Sequence, residues 1–286
     1  VSPSVYCASG FSPANISMIV GDDGVVIVDT GMLAAHAEAV LKEFRTITEL
    51  PVKAIILTHG HGDHTGGASV FIEDRAQRPA IYARSPFNSE GGMFQRSGVT
   101  INGVRGARQG GFRLPPEKRI NNGIAPAVYP PDERNAFLGN PPLPTETFRD
   151  GRKKIAVAGL ELELVAAPGE TDDQLYVWFP AERVVFTGDT FYLAALYTHI
   201  EGSSLADYTE TARRLATLTD EVDTLVTSHN VPTASADYLP ALDRAMQGIK
   251  AGTAPYDIVD GIREYRFSGF SVLTQDPPAP DTTQGL

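Results

Sequence analysis

The sequence predicts an α/β fold: an αββα four-layer sandwich, in which two mixed β-sheets pack face to face with helices on both outer faces. Three observations carry this. Short apolar runs alternate with amphipathic helical segments, the order of strands, helix, strand, helix occurs twice, and the strands end in polar clusters. At 286 residues the chain can bury a full core. We expect a single domain over residues 1–270, with an irregular insertion at about 84–150 and a flexible tail at 271–286.

Val5-Tyr6-Cys7 and Ile16-Ser17-Met18-Ile19-Val20 read as strands. The turn Gly21-Asp22-Asp23-Gly24 leads into Val25-Val26-Ile27-Val28, giving a hairpin whose last strand ends in Asp29-Thr30-Gly31. Ligand sites in α/β proteins collect at such strand ends, and Asp29 is equally a candidate helix cap. Residues 32–47 carry Leu33, Ala37, Val40, Leu41 and Phe44 at helical spacing. A strand at 53–57 follows, then a short helix at 68–75 and a strand at 80–83.

Residues 84–150 are heavy in Gly, Pro, Arg and Asn and keep no sustained period. A stretch of that length is usually functional, and we read it as folding over the site and shaping substrate access. Alternation resumes in two hairpins, 154–157 with 160–164, then 175–179 with 184–186. The loop between them holds Glu170, Asp172 and Asp173, and the second hairpin ends in Thr187-Gly188-Asp189-Thr190. Ser204 caps a helix running to 218, a strand at 224–227 delivers Ser228-His229-Asn230, and a last helix covers roughly 241–250.

Composition narrows the function. Net charge is −11, from 24 basic and 35 acidic residues, which argues against a nucleic-acid partner because phosphate contacts need clustered Lys and Arg. Apolar runs fall well short of the roughly 20 residues that span a bilayer, so no membrane partner is expected. Cys7 is the only cysteine, so there is no intramolecular disulfide and no cysteine-based zinc site. The chain begins at Val1 without a methionine or an apolar leader. The compartment stays open, with periplasmic or secreted favoured over cytoplasmic.

The chemistry concentrates in Thr58-His59-Gly60-His61-Gly62-Asp63-His64-Thr65-Gly66-Gly67. Three of the chain's six histidines and an aspartate fall within six positions, directly after an apolar strand. Imidazole and carboxylate together suit zinc, and also manganese or iron. The glycines let the backbone turn tightly enough for several side chains to converge.

With Asp29, Glu170, Asp189 and His229 in this order, the pattern T-H-x-H-x-D-H-x-G-G resembles the metallo-β-lactamase superfamily of αββα hydrolases. Within it the chain is similar to the linear primary alkylsulfatases. Glu170 stands where most members have a metal-binding histidine and those enzymes use glutamate, and the segments Val177-Trp178-Phe179-Pro180 and Leu196-Tyr197-Thr198 look like pieces of that family.

The resemblance implies two divalent metal ions, zinc first, with manganese or iron as alternatives. His59, His61 and Glu170 would hold one, Asp63, His64 and His229 the other, and Asp189 would bridge them. A hydroxide shared by the ions would attack an ester-type centre, with Asp63 as proton acceptor or relay and His199 as proton donor or substrate contact. Asp29 would orient the histidine loop by hydrogen bonding. Asp189 departs from the alkylsulfatases, which have a second glutamate there. The asparagine before Leu196-Tyr197-Thr198 and the arginine after it, associated with sulfate binding in that family, are not evident. Arg96, Arg105, Arg108 and Arg113 in the insertion are candidates for a replacement anion site.

The expected activity is hydrolysis of a small ester-type substrate, an alkyl sulfate first. A lactone, carboxylic ester or β-lactam is the alternative of the same fold, and a diiron oxidoreductase or an inactive binding module the alternative of another class. A homodimer is left open.

Overall fold

The computed structural model describes residues 1–74, 76–87, 142–200, 202–259 and 261–275. Most of the expected insertion, including Arg96, Arg105, Arg108 and Arg113, lies outside the described residues.

The first sheet has six strands adjacent in chain order: β1 (Val5–Ala8), β2 (Ile16–Val20), β3 (Val25–Val28), β4 (Val52–Ile56), β5 (Ala80–Arg84) and β6 (Glu146–Phe148). β1, β2 and β3 pair antiparallel; β3, β4, β5 and β6 pair parallel. The second sheet begins with β7 (Arg152–Val157), β8 (Leu160–Ala166), β9 (Leu175–Phe179) and β10 (Val184–Phe186). β11 (Ala195–Tyr197) leaves it, then β12 (Thr224–Val226) and β13 (Thr233–Ser235) complete the order β13-β12-β10-β9-β8-β7.

The two sheets pack face to face because their strands alternate. Val26, Val28, Ala54 and Ile56 of the first sheet share one buried cluster with Leu162, Leu164, Leu175, Val177, Phe179 and Phe186 of the second. Intervening residues face outward into two further cores, so most of these strands are apolar on both faces. Val25, Ile27 and Ile55 pack on Ala37, Val40 and Phe44 of helix α1 (Ala34–Phe44). Tyr176, Trp178, Val185 and Leu225 pack on the other outer layer. That layer is built from two later helices, which follow the four-residue turn α2 (Gly62–Thr65) in the histidine motif: α3 (Leu205–Ala216) and α4 (Tyr238–Lys250). Ser204 caps α3 by accepting from the Asp207 amide at 3.2 Å. The sandwich expected from the sequence is present.

Three expectations need correction. A third sheet, order β11-β16-β15-β14, is formed by β11 with β14 (Asp257–Val259), β15 (Ile262–Arg266) and β16 (Ser271–Gln275). The tail therefore does not begin at 271: Val272 and Leu273 are buried. Strands of three to five residues, with their buried positions adjacent rather than alternating, carry too little period to stand out beside a Pro- and Thr-rich end. Likewise β6 lies inside the range assigned to an irregular insertion, as a short edge strand with no buried residue. Asp29 is not a helix cap, since α1 begins after Leu33. No helix among the described residues is long and apolar enough to cross a membrane.

Candidate metal centre

Strand direction places the site. β3, β4, β8, β10 and β12 all deliver their carboxyl ends to the same edge of the sandwich, so Asp29, the histidine motif, the Glu170 loop, Asp189 and His229 meet there. The edges of the two sheets are tied together at that level. The Leu175 amide donates to the Thr58 carbonyl at 2.8 Å, and the Asn15 amide donates to Ser228 at 2.6 Å.

The motif's last two glycines are required by close packing. A Cβ on Gly66 would lie 1.9 Å from the Met32 carbonyl oxygen, and one on Gly67 would lie 2.2 Å from that of Thr30. The α2 turn is thus pressed against the loop after β3, with the Thr30 amide and hydroxyl both donating to the His64 carbonyl at 2.8 Å. The glycines between the histidines are not among the positive-φ residues; Asp29 is, at φ 56.

Six side chains form two buried clusters, His59 with His61 and Asp189, and Asp63 with His64 and His229, each with ligand-type atoms within 4.8 Å of one another. Asp189 serves both. Its Oδ1 lies 3.3 Å from His64 Nε2 and 3.1 Å from His229 Nε2, while Oδ2 lies 3.3 Å from His229 Nε2 and 3.7 Å from His59 Nε2. Asp63 Oδ2 is 3.8 Å from His229 Nε2 and 3.9 Å from His64 Nε2.

The opposite nitrogens fix the tautomers. His64 Nδ1 donates to Asp29 Oδ2 at 2.8 Å, and His229 Nδ1 donates to the Pro13 carbonyl at 2.8 Å. Thr58 Oγ1 donates to Asp29, which leaves the same oxygen to accept from His59 Nδ1 at 3.1 Å. Each Nε2 is then a lone-pair acceptor turned toward a carboxylate that is also an acceptor. Such an arrangement is stable only with a proton or a cation between the groups, and His59 Nε2, fully buried, makes no hydrogen bond. The donor set, imidazoles with carboxylates, therefore fits divalent metal ions.

Electrostatics agree. Burial opposes charge on His64, but Asp189, Asp29 and Asp63 outweigh it and hold its pKa well above the ordinary imidazole value. Burial, with His64 adding to it, pushes His59 down to about 4. Burial alone would raise the Asp189 carboxyl; His229, His64 and His59 outweigh it and keep Asp189 well below the usual carboxylate range. The carboxylates that favour positive charge on His64 are the groups that bound cations would neutralise.

Asp29 holds the loop together. Its carboxylate accepts from the Thr58 amide at 2.9 Å, the Thr58 hydroxyl and His64. Glu170 is fully buried, so it is not a surface residue of a Pro-Gly turn, yet it falls outside both clusters. Its charge acts on Tyr208: burial, then Glu170 and Asp189, raise that phenol well above its ordinary value. The Tyr208 hydroxyl donates to the Thr190 carbonyl at 2.6 Å, anchoring the Asp189 turn. His199 is half-buried in the bend after β11, with Nδ1 3.3 Å from the Leu273 carbonyl and its ring against Tyr197; among the described residues it joins neither cluster.

Sequence reasoning missed three supports. Ser228 donates to Asp189 Oδ1 at 2.7 Å, the Tyr192 ring lies edge-on to His229, and the Pro13 carbonyl holds His229. Ser228 was open to discovery, since it immediately precedes a ligand-type histidine at a strand end. Pro13 gives no sequence signal.

Residues 9–229 match the family model of the metallo-β-lactamase superfamily. The chain belongs to the metallo-β-lactamase superfamily. Among curated proteins, it is 29% identical over 180 residues to a linear primary-alkylsulfatase from Pseudomonas sp. (strain ATCC 19151), covering 60% of this chain and 32% of that protein. It is 25% identical over 252 residues to an (R)-specific secondary-alkylsulfatase from Pseudomonas sp., covering 83% and 37%. The structure of a stereoselective inverting sec-alkylsulfatase from Pseudomonas sp. matches with a TM-score of 0.67 at 22% identity, covering 88% of this chain and 42% of that one. The chain thus spans about a third of the length of these curated alkylsulfatases. The superfamily and the likeness to alkylsulfatases are those the histidine motif and Glu170 suggested.

Proposed function

We propose that the chain is a binuclear metal-dependent hydrolase of an ester-type bond, and that its first substrate class is an alkyl sulfate. The observation that carries the reading is Asp189, whose buried carboxylate is shared by ligand-type nitrogens of both clusters, Oδ1 with His64 and His229 and Oδ2 with His229 and His59. In this reading His59, His61 and Glu170 would hold one cation, Asp63, His64 and His229 the other, and Asp189 would serve both. When bound, a pair of divalent cations, zinc first, activates water near neutral pH and stabilises negative charge developing on oxygen.

The chain's own residues supply the rest. The hydrogen bonds from His59, His64 and His229 through Nδ1 keep every Nε2 in register before any cation arrives, so little reorganisation opposes binding. Asp63, beside His64 and His229, is the carboxylate we assign to take up the proton released during attack. His199, in the bend after β11 with its Nδ1 3.3 Å from the Leu273 carbonyl, is the residue we assign as proton donor to the leaving group or contact to the substrate. Sulfate esters come first because both curated relatives cited above are named as alkylsulfatases.

A panel of chromogenic and alkyl sulfates, phosphates, lactones and β-lactams, assayed with added zinc or manganese, tests this. Turnover of sulfate esters above the other classes is expected. Failure of every sulfate ester beside turnover of a lactone or β-lactam would remove the substrate assignment.

A further inference from the structure

The loop that carries Glu170 holds a second buried carboxylate that the proposed chemistry does not use. Asp173 is 1% exposed. Its Oδ2 accepts from the Gly60 amide at 3.0 Å, and its Oδ1 accepts from the Thr171 hydroxyl at 2.7 Å. Gly60 is the residue between His59 and His61. Its amide points away from any strand partner, because β4 has already ended at Ile56, and a buried amide left unsatisfied there is costly.

The loop holding Asp173 is itself fixed. The Ala167 amide donates to the Gln174 carbonyl at 2.9 Å, closing the loop at its base. The Ser204 amide at the start of α3 donates to the Gly169 carbonyl at 2.8 Å, and the Thr211 hydroxyl donates to the Pro168 carbonyl at 2.8 Å. Asp173 is therefore a rigid post from the second sheet that reaches the backbone of the first-cluster histidines. Asp29 works from the first sheet by different contacts, directly on His64 Nδ1 and through the Thr58 hydroxyl on His59 Nδ1.

We propose that Asp173 is a positioning residue for the first cation, setting His59 and His61 through the Gly60 amide, while Asp29 holds His64 directly and His59 through Thr58. The inference rests on the two-cation reading above. The role belongs to hydrogen bonding rather than to charge: an asparagine accepts from Gly60 through Oδ1 and donates through Nδ2 to the Thr171 oxygen, keeping both links. Alanine keeps neither.

Cobalt(II) titration of the metal-free full chain tests this, with stoichiometry and visible ligand-field absorption as readouts and thermal unfolding of the metal-free protein alongside. His61→Ala marks which equivalent belongs to the first cluster. Asp173→Ala is expected to weaken that same equivalent about 10- to 100-fold, the usual effect of removing a group that orients a ligand, and to leave the other in place. Asp173→Asn is expected to restore it to within a few-fold of wild type. Unchanged titration in Asp173→Ala, or equal weakening of both equivalents, would overturn the proposal. If the wild type takes up only one equivalent, the two-cation reading fails. Asp173 is then supported if its alanine variant weakens that ion as His61→Ala does, and refuted if it does not.

Discussion

Replacing Asp189 by asparagine is expected to lower kcat/KM for the best substrate by on the order of 10³-fold or more. Groups that merely orient a ligand cost about 10- to 100-fold when removed, and Asp189 faces the ligand atoms themselves. Asparagine preserves the shape but replaces one of the two carboxylate oxygens by an NH₂ donor. His229 approaches both oxygens, with His64 beside Oδ1 and His59 beside Oδ2, so either orientation of the amide turns that donor toward ligand-type nitrogens. Steady-state kinetics with bound-metal analysis check this. A variant that keeps two cations and near-normal turnover would show that Asp189 does not bridge.

The second large effect is expected at Asp29. Asp29→Ala strips an acceptor from the Thr58 amide, the Thr58 hydroxyl and His64 Nδ1 at once, all of them buried. Breaking a buried hydrogen-bonded charge pair by removing one partner costs about 3–5 kcal/mol, a large share of the roughly 5–15 kcal/mol that holds a typical fold. Alanine also tolerates the left-handed backbone at φ 56 less well than aspartate. Asp29→Asn keeps the Thr58 amide bond and the backbone preference and should lose less. Urea unfolding of the metal-free variants measures the ordering wild type, then Asn, then Ala. Equal stability of all three would mean that the loop is held by something other than this carboxylate.

Much of this site was legible because strand ends are legible. An apolar run closing in Asp29-Thr30-Gly31 or Thr187-Gly188-Asp189-Thr190 marks both a buried strand and the group it delivers. Parallel pairing of β3 with β4 and of β10 with β12 then brings those ends to one edge. The six clustered residues were all readable in this way. Supports that act through backbone atoms were not. Pro13 contributes only a carbonyl, and Asp173 acts on an amide 113 residues away, so neither leaves a spacing to detect. β11 was hidden for a different reason: Leu196 and Tyr197 belong to a sheet whose other strands arrive only after α4.

The central claim is that two divalent cations share this edge of the sandwich. Elemental analysis of protein freed of metal and reloaded, read with an optical spectrum of the protein as first purified, addresses it directly. Two zinc or manganese ions per chain are expected, with no iron absorption bands and hydrolytic activity that returns with the second equivalent. Saturation at a single ion per chain, or full activity restored by the first equivalent alone, would contradict it.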